Sequence, residues 1–418
     1  MSFAFARSAQ YKWAVVAMLW FVCFFNYADR QAIFSVFPSL KTELHLSDVQ
    51  LGIIGSSFMW MYALFGPLAG WLCDRLPRKT LILGGLIFWS AVTAATAIAH
   101  SYTQLIICRS LGGLGEAFYF PASMSLIGDY HHPDTRSRAM SIHQSSVYAG
   151  SIAGGAVSGY LGQYYSWRSS FSAFGLLGIA LGMILWRLLL EPKRDGAHIE
   201  QTKTANAGPL EGIKSVFQTL LALLLMLIFM GANFVAVIFL AWMPTFLYRK
   251  FSMSLSMSGF SGTAYLQIAS VLGVLAGGLA ADALVKRNYP SSKSARMFVQ
   301  SLGLLCGVPF LFLVGWSISV KIVVLAMMGF GFFKGLYDAN IFASLYDVVP
   351  VEIRGTAAGL MNSIGWLGGG VAPVAIAVAA SRYGMSACIS ATAAIYLMLG
   401  MLLIGSALMH AGRRLPSQ

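Results

Sequence analysis

Residues 66–79 read GPLAGWLCDRLPRK and residues 276–287 read AGGLAADALVKR. Each joins a glycine-containing apolar run to an aspartate, Asp74 or Asp282, and then to a basic turn: Arg75, Arg78 and Lys79 in the first, Lys286 and Arg287 in the second. One pattern recurring in each half points to a duplicated chain, with Asp74 and Asp282 as equivalent positions. Internal repeats of this kind in membrane proteins place a site at the bilayer midplane.

The rest of the chain fits a membrane. Of its 418 residues, 57% are hydrophobic and 10% charged, and the mean hydropathy is +0.71; this excludes a soluble globular or a disordered chain. With roughly 20 apolar residues needed per crossing, twelve spans are expected, near 13–37, 49–73, 80–100, 104–128, 139–163, 168–190, 216–246, 258–283, 296–316, 320–347, 355–380 and 386–410. The longest polar stretch, EPKRDGAHIEQTKTANAGPLEGI from residue 191, separates six spans from six. The expected organisation is an all-α membrane protein with an N-terminal six-helix bundle (1–190), a cytoplasmic linker (191–215) and a C-terminal six-helix bundle (216–418).

A net charge of +13 could suggest nucleic acid as a partner, but the distribution of Lys and Arg decides otherwise. Nineteen of the 28 fall in alternate loops that a cytoplasmic N-terminus would place inside, six fall outside, and Arg30, Arg109 and Lys334 lie within spans. The positive-inside rule then puts both termini in the cytoplasm. The first apolar run lacks a small-residue cleavage site, so no cleavable signal is expected. The five cysteines stand in or beside apolar runs without metal-ligand spacing.

GWLCDRLPRK (Gly70 to Lys79) resembles the cytoplasmic loop signature of the major facilitator superfamily, and RSLGGLGEA (Arg109 to Ala117) resembles its fourth-helix motif. A finer resemblance, to the anion:cation symporter branch, rests on NYADR (Asn26 to Arg30), FMWMYA (Phe58 to Ala63), GLGEA with Phe120 and Pro121 after it, SWR (Ser166 to Arg168) and NSIG (Asn362 to Gly365). The resemblance implies two pseudo-symmetric bundles that move a small organic anion, such as a sugar acid, with a cation, commonly H⁺; Na⁺ stays open. Spinster-type lysolipid transporters share the Tyr-x-Asp-Arg and Gly-x-Gly-Glu-Ala pieces. The chain departs from the symporter pattern at His143-Gln144-Ser145-Ser146, where an aromatic residue followed by Asn-Ser is usual, and after Trp167-Arg168, where Ser-Ser replaces a second aromatic.

Asp29, Arg30, Arg109 and Glu116 stand inside apolar segments, where an unpaired charge costs at least a few kcal/mol, so such residues face a cavity or one another. Arg109 and Glu116 are seven apart, about two turns, and share a helix face. Arg30 is expected to hold the anion, since a guanidinium offers carboxylate a planar fork of donors. Arg109 is expected to pair with Asp29 and tune it as a carrier or relay of the proton, although the opposite assignment of the two arginines stays open. Glu116, with glycines beside it and no cation on adjacent turns of its own helix, is expected to lie deeper and carry the proton. A static charge network is the competing reading of these residues.

Tyr62, Gln144, Tyr148 and Asn362 are candidates for substrate hydroxyls, or else helix–helix contacts. Asp74, Arg75, Arg78, Lys79 and Asp282 are expected to form a conformational gate at the cytoplasmic surface, and Lys334 and Asp338, four apart, to pair on one face. The expected whole is a multi-pass plasma-membrane or inner-membrane transporter, monomeric, with no metal or cofactor beyond its coupling ion. A lysophospholipid carrier and a non-transporting sensor of the same fold are the alternatives. No nucleophile elbow or phosphate loop suggests an enzyme.

Overall fold

The computed structural model describes residues 9–191, 209–287, 292–350 and 353–412. Most of the expected linker and both terminal segments lie outside the described residues. The described residues form sixteen α-helices: α1 Ala9–Ser35, α2 Phe37–Glu43, α3 Asp48–Arg75, α4 Arg78–Thr96, α5 Tyr102–Ala117, α6 Tyr119–Tyr130, α7 Pro133–Tyr164, α8 Trp167–Leu188, α9 Pro209–Gln218, α10 Leu220–Phe251, α11 Leu255–Lys286, α12 Ser292–Trp316, α13 Val320–Asp338, α14 Ile341–Val348, α15 Arg354–Tyr383 and α16 Met385–Gly412.

Among the described residues, ten helical segments are long and apolar enough to cross a membrane, counting α13 and α14 together. The expected fourth and fifth spans fall short of that standard for different reasons. The fourth is broken at Phe118 into α5 and α6, of 16 and 12 residues. Pro121 explains the break: it has no N–H for the carbonyl of Ala117, four residues earlier. The fifth, α7, has 32 residues, but Asp134, Arg136, Arg138, His143 and Gln144 in its first half are followed by a second half rich in glycine, serine and tyrosine, so no stretch of it is apolar enough.

Helix ends follow local chemistry. Ser47 and Gln50 form a reciprocal capping box at α3, Ser101 caps α5 through Gln104 N–H, and Pro133 occupies the first turn of α7. Gly384, with φ +80°, ends α15 in a conformation that a side chain would strain, and α16 starts at the next residue.

The chain divides into two compact units, residues 1–204 with 240–264 and residues 205–239 with 265–418. In the first, α1 runs along α7, α3 along α5, and α4 along α8 and α5. In the second, α12 runs along α16 and α13.

Glycine sets the closest approaches, as membrane packing requires. A Cβ on Gly150 or Gly154 of α7 would stand 2.4 or 2.2 Å from the carbonyl oxygens of Phe24 and Ala28 on α1. Asp29 follows directly, so this seam fixes the height of the charged residues.

Candidate functional site

Asp29 and Arg30 are consecutive on α1, so their side chains leave the helix about 100° apart and meet different partners. Arg30 Nε donates to Glu116 Oε2 of α5 at 2.5 Å. Asp29 Oδ2 accepts from Thr93 Oγ1 of α4, and Asp29 Oδ1 lies 3.8 Å from Arg109 Nη1 of α5. All four charged residues are at least nine-tenths buried, with relative exposures of 4% for Asp29, 8% for Arg30, 4% for Arg109 and 1% for Glu116. Charges that deep are tolerable only in pairs, because lone desolvation costs several kcal/mol.

Aromatic rings complete the cluster. The Arg30 guanidinium stands 4.7 Å from the ring of Tyr27, 5.0 Å from Phe58 and 4.5 Å from Tyr62. Phe58 also lies 4.7 Å from the guanidinium of Arg109, so one ring serves both arginines. Its position is set by Gly113: a Cβ there would sit 2.2 Å from the Phe58 carbonyl oxygen, and α3 touches α5 backbone to backbone. Among the described residues, Asp29 Oδ1, Glu116 Oε1 and Arg109 Nε make no hydrogen bond. Both pairs therefore keep capacity for a proton or a further anion.

This arrangement corrects one expectation. Glu116 does not lie apart, beneath the other three; its counter-charge comes from α1. A helix's own sequence lists the neighbours on its turns and says nothing of the helix packed against it.

The remaining candidates are placed as follows. Tyr62 is buried against Arg30. Gln144 is exposed and Tyr148 half-buried on α7, and Asn362 is half-buried on α15 of the second unit. His143 is fully buried, with Nε2 2.7 Å from Tyr119 Oη. Lys334 and Asp338 pair within α13, with side-chain exposures of 15% and 29%.

In the basic turn, Arg78 pairs with Asp129 of α6, and the backbone N–H groups of Arg78 and Lys79 donate to the Glu191 carboxylate at 2.9 and 2.7 Å. A carboxylate at a helix N-terminus satisfies its orphan donors and suits its dipole. Arg75 packs over Trp71 at 4.0 Å, Asp282 is exposed on α11, and the side chain of Asp74 lies outside the described residues.

Asp129, Glu191 and Thr93 were not singled out from sequence, and Phe58 entered only as the first residue of the FMWMYA resemblance. A signal for Asp129 was available. Arg78, Asp129 and Arg136 recur, each 218 residues later, as Arg296, Asp347 and Arg354. The geometry recurs with them: Arg296 pairs with Asp347 at 2.5 Å, while Arg136 donates to the carbonyl of Gly128 and Arg354 to that of Tyr346.

The family model of the Major Facilitator Superfamily matches residues 19–373. The "Probable galactarate/D-glucarate transporter" of Escherichia coli (strain K12) is 26% identical over 87% of this chain and 85% of its own. The "Hexuronate transporter" of Bacillus subtilis (strain 168) is also 26% identical, over 87% and 86%. A bacterial homolog of the human lysosomal transporter Spinster, solved in an inward-facing, unoccupied conformation, superposes with a TM-score of 0.80 over 98% of this chain and 100% of its own, at 21% identity. That likeness concerns the fold alone.

Proposed function

Because the chain belongs to the Major Facilitator Superfamily, we propose that it moves a small organic anion, a sugar acid, together with H⁺ by alternating access. It is a multi-pass membrane transporter of the plasma or inner membrane and not an enzyme. Relatives named for galactarate, D-glucarate and hexuronate support the cargo class.

The observation that carries the coupling is the buried Arg30–Glu116 pair. Guanidinium stays charged throughout, so the anion and the Glu116 carboxylate compete for one cation. When Glu116 takes a proton on Oε1, it loses its charge and its hold on Arg30. A substrate carboxylate then replaces it on the guanidinium fork. On the other side of the membrane the anion leaves, Glu116 gives up the proton to water, and the pair closes again. Asp29 and Arg109 form the second pair, which relays charge or tunes the first.

The test is purified protein in liposomes with an imposed pH gradient and a panel of sugar acids. Gradient-driven uptake of at least one is expected. Equal uptake with and without the gradient would remove H⁺ coupling, and a Na⁺ gradient in the same assay tests the other coupling ion.

A further inference from the structure

Asn26 stands one helical turn before Arg30 on α1 and is 1% exposed, yet neither its Nδ2 nor its Oδ1 makes a hydrogen bond. Native interiors rarely leave an amide in that state, because burial strips its water and each unpaired polar group then costs the fold stability.

Other asparagines among the described residues show how easily that cost is avoided. Asn233 of α10 donates to the carbonyl of Phe229, on its own preceding turn. Asn340 donates to the carbonyls of Leu336 and Gly277. Asn26 has Val22 at the same spacing as Asn233 has Phe229, and its amide does not turn back to it.

Helix geometry gives the direction of the amide. Residues four apart are turned by about 40° and residues three apart by about 60° the other way, so the Asn26 side chain leaves α1 between the directions of Asp29 and Arg30, one turn earlier. Those two side chains lead to the buried pairs with Arg109 and Glu116. Asp29 Oδ1 and Glu116 Oε1 are also without a hydrogen bond, and neither takes Asn26 Nδ2. The amide therefore offers a free donor and a free acceptor beside the guanidinium of Arg30.

Hydroxyls on adjacent carbons are the complementary groups. Each can donate or accept, so one engages Nδ2 while its neighbour engages Oδ1. In a sugar acid such hydroxyls follow directly on the carboxylate carbon, and a carboxylate on Arg30 brings them to the next turn of the same helix.

We propose that Asn26 binds the hydroxyls beside the substrate carboxylate that Arg30 holds, and so selects hydroxy acids over plain carboxylates. The inference rests on the sugar-acid reading and deepens it. A site built to hydrogen-bond a hydroxyl discriminates against the analogue that lacks it, because that analogue leaves buried polar atoms unpaired.

Binding of galactarate and of adipate, which has the same carbon chain and both carboxylates but no hydroxyls, to the purified full chain tests this. Wild-type protein should prefer galactarate. Asn26→Leu, close in shape but without polar atoms, should weaken galactarate by about tenfold, the value of one to two hydrogen bonds, and leave adipate unchanged. Its apparent Tm without ligand should equal or exceed that of the wild type, because an unpaired buried amide has been removed. Asn26→Ala, which adds no bulk, should show the same loss confined to galactarate. Equal weakening of both acids, or unchanged galactarate binding in both variants, would overturn the proposal. So would a ligand-free Tm lowered by several degrees in Asn26→Leu, since the amide would then be satisfied within the fold. Wild-type protein that binds adipate as tightly as galactarate, or binds neither, would overturn the sugar-acid reading itself, and this inference with it.

Discussion

Arg30 sits at the centre of the buried cluster, held by Glu116 and faced by three aromatic rings. Glu116→Gln keeps the shape of the pair but cannot release a proton. It should abolish uphill uptake while leaving counterflow exchange of labelled for unlabelled substrate; uphill uptake at the wild-type level would remove Glu116 as the proton carrier. Arg30→Lys should raise the Kd for substrate by about tenfold or more, since an ammonium cannot reproduce the planar fork. At Tyr62 the ring and the hydroxyl can be removed one at a time. A cation–π contact is worth roughly 0.5–2 kcal/mol, so Tyr62→Leu should weaken binding by roughly 2- to 30-fold, and Tyr62→Phe by much less if the ring supports Arg30. Equal losses from both would show that the contribution lies in the hydroxyl and not in the ring. The four buried charges were legible as a group in the sequence, because charge inside an apolar run is conspicuous. The proximity of Arg109 to Asp29 was expected too; the Arg30–Glu116 pair was not, because it depends on the rotation of α1 against α5. Thr93 was invisible for the same reason: a threonine in an apolar helix carries no mark of what it faces.

At the scale of elements, two structural devices hold the cluster in place. The first is the glycine seam of α7 on α1. Gly154→Leu would drive its Cβ to 2.2 Å from the Ala28 carbonyl oxygen, and neither backbone can yield cheaply. Fluorescence-detected size exclusion should show a large loss of monodisperse protein, whereas Gly84→Ala, with nothing within 4 Å of the added Cβ, should behave as wild type. The second is the Arg78–Asp129 clamp between α4 and α6. Asp129→Asn should lower the apparent Tm by several degrees, and the exchange Arg78→Asp/Asp129→Arg should recover part of the loss. The SWR motif also proves to be an anchor. Glu43 at the end of α2 accepts from Trp167 Nε1 at 2.6 Å and from Arg168. Partial burial raises the Glu43 pKa, but the hydrogen bonds from Arg168 and Trp167, with the Arg168 charge, outweigh it and hold the group below its ordinary 4.5. A depressed carboxylate pKa contributes stability above the unfolded value, and that stability fades as pH falls through the folded one. The anchor is therefore formed across the neutral range and weakens only as pH falls below the ordinary carboxylate range. Glu43→Gln should leave the pH profile of uptake in the neutral range unshifted, and a displaced profile would place Glu43 in the coupling.

Across the whole molecule, duplication explains most of what the sequence revealed. The basic turns at Arg78 and Lys286, the glycines and the apolar runs all recur, and with them the all-α membrane architecture was readable. The count of spans was less so. Hydropathy alone could not foresee that Pro121 divides the fourth helix or how polar a complete 32-residue α7 would be. The two units also differ where chemistry is concentrated: the first holds two acid–arginine pairs and the second a lysine and an aspartate on one helix. In both units the charges inside apolar helices are paired, as the cost of a lone charge in the membrane demands. The most direct test is galactarate uptake into protein-containing liposomes with an inside-alkaline pH gradient and no sodium. Accumulation above the external concentration is expected, collapsing when a protonophore dissipates the gradient. Uptake that only equilibrates with the external concentration, unaffected by the gradient or the protonophore, would contradict it.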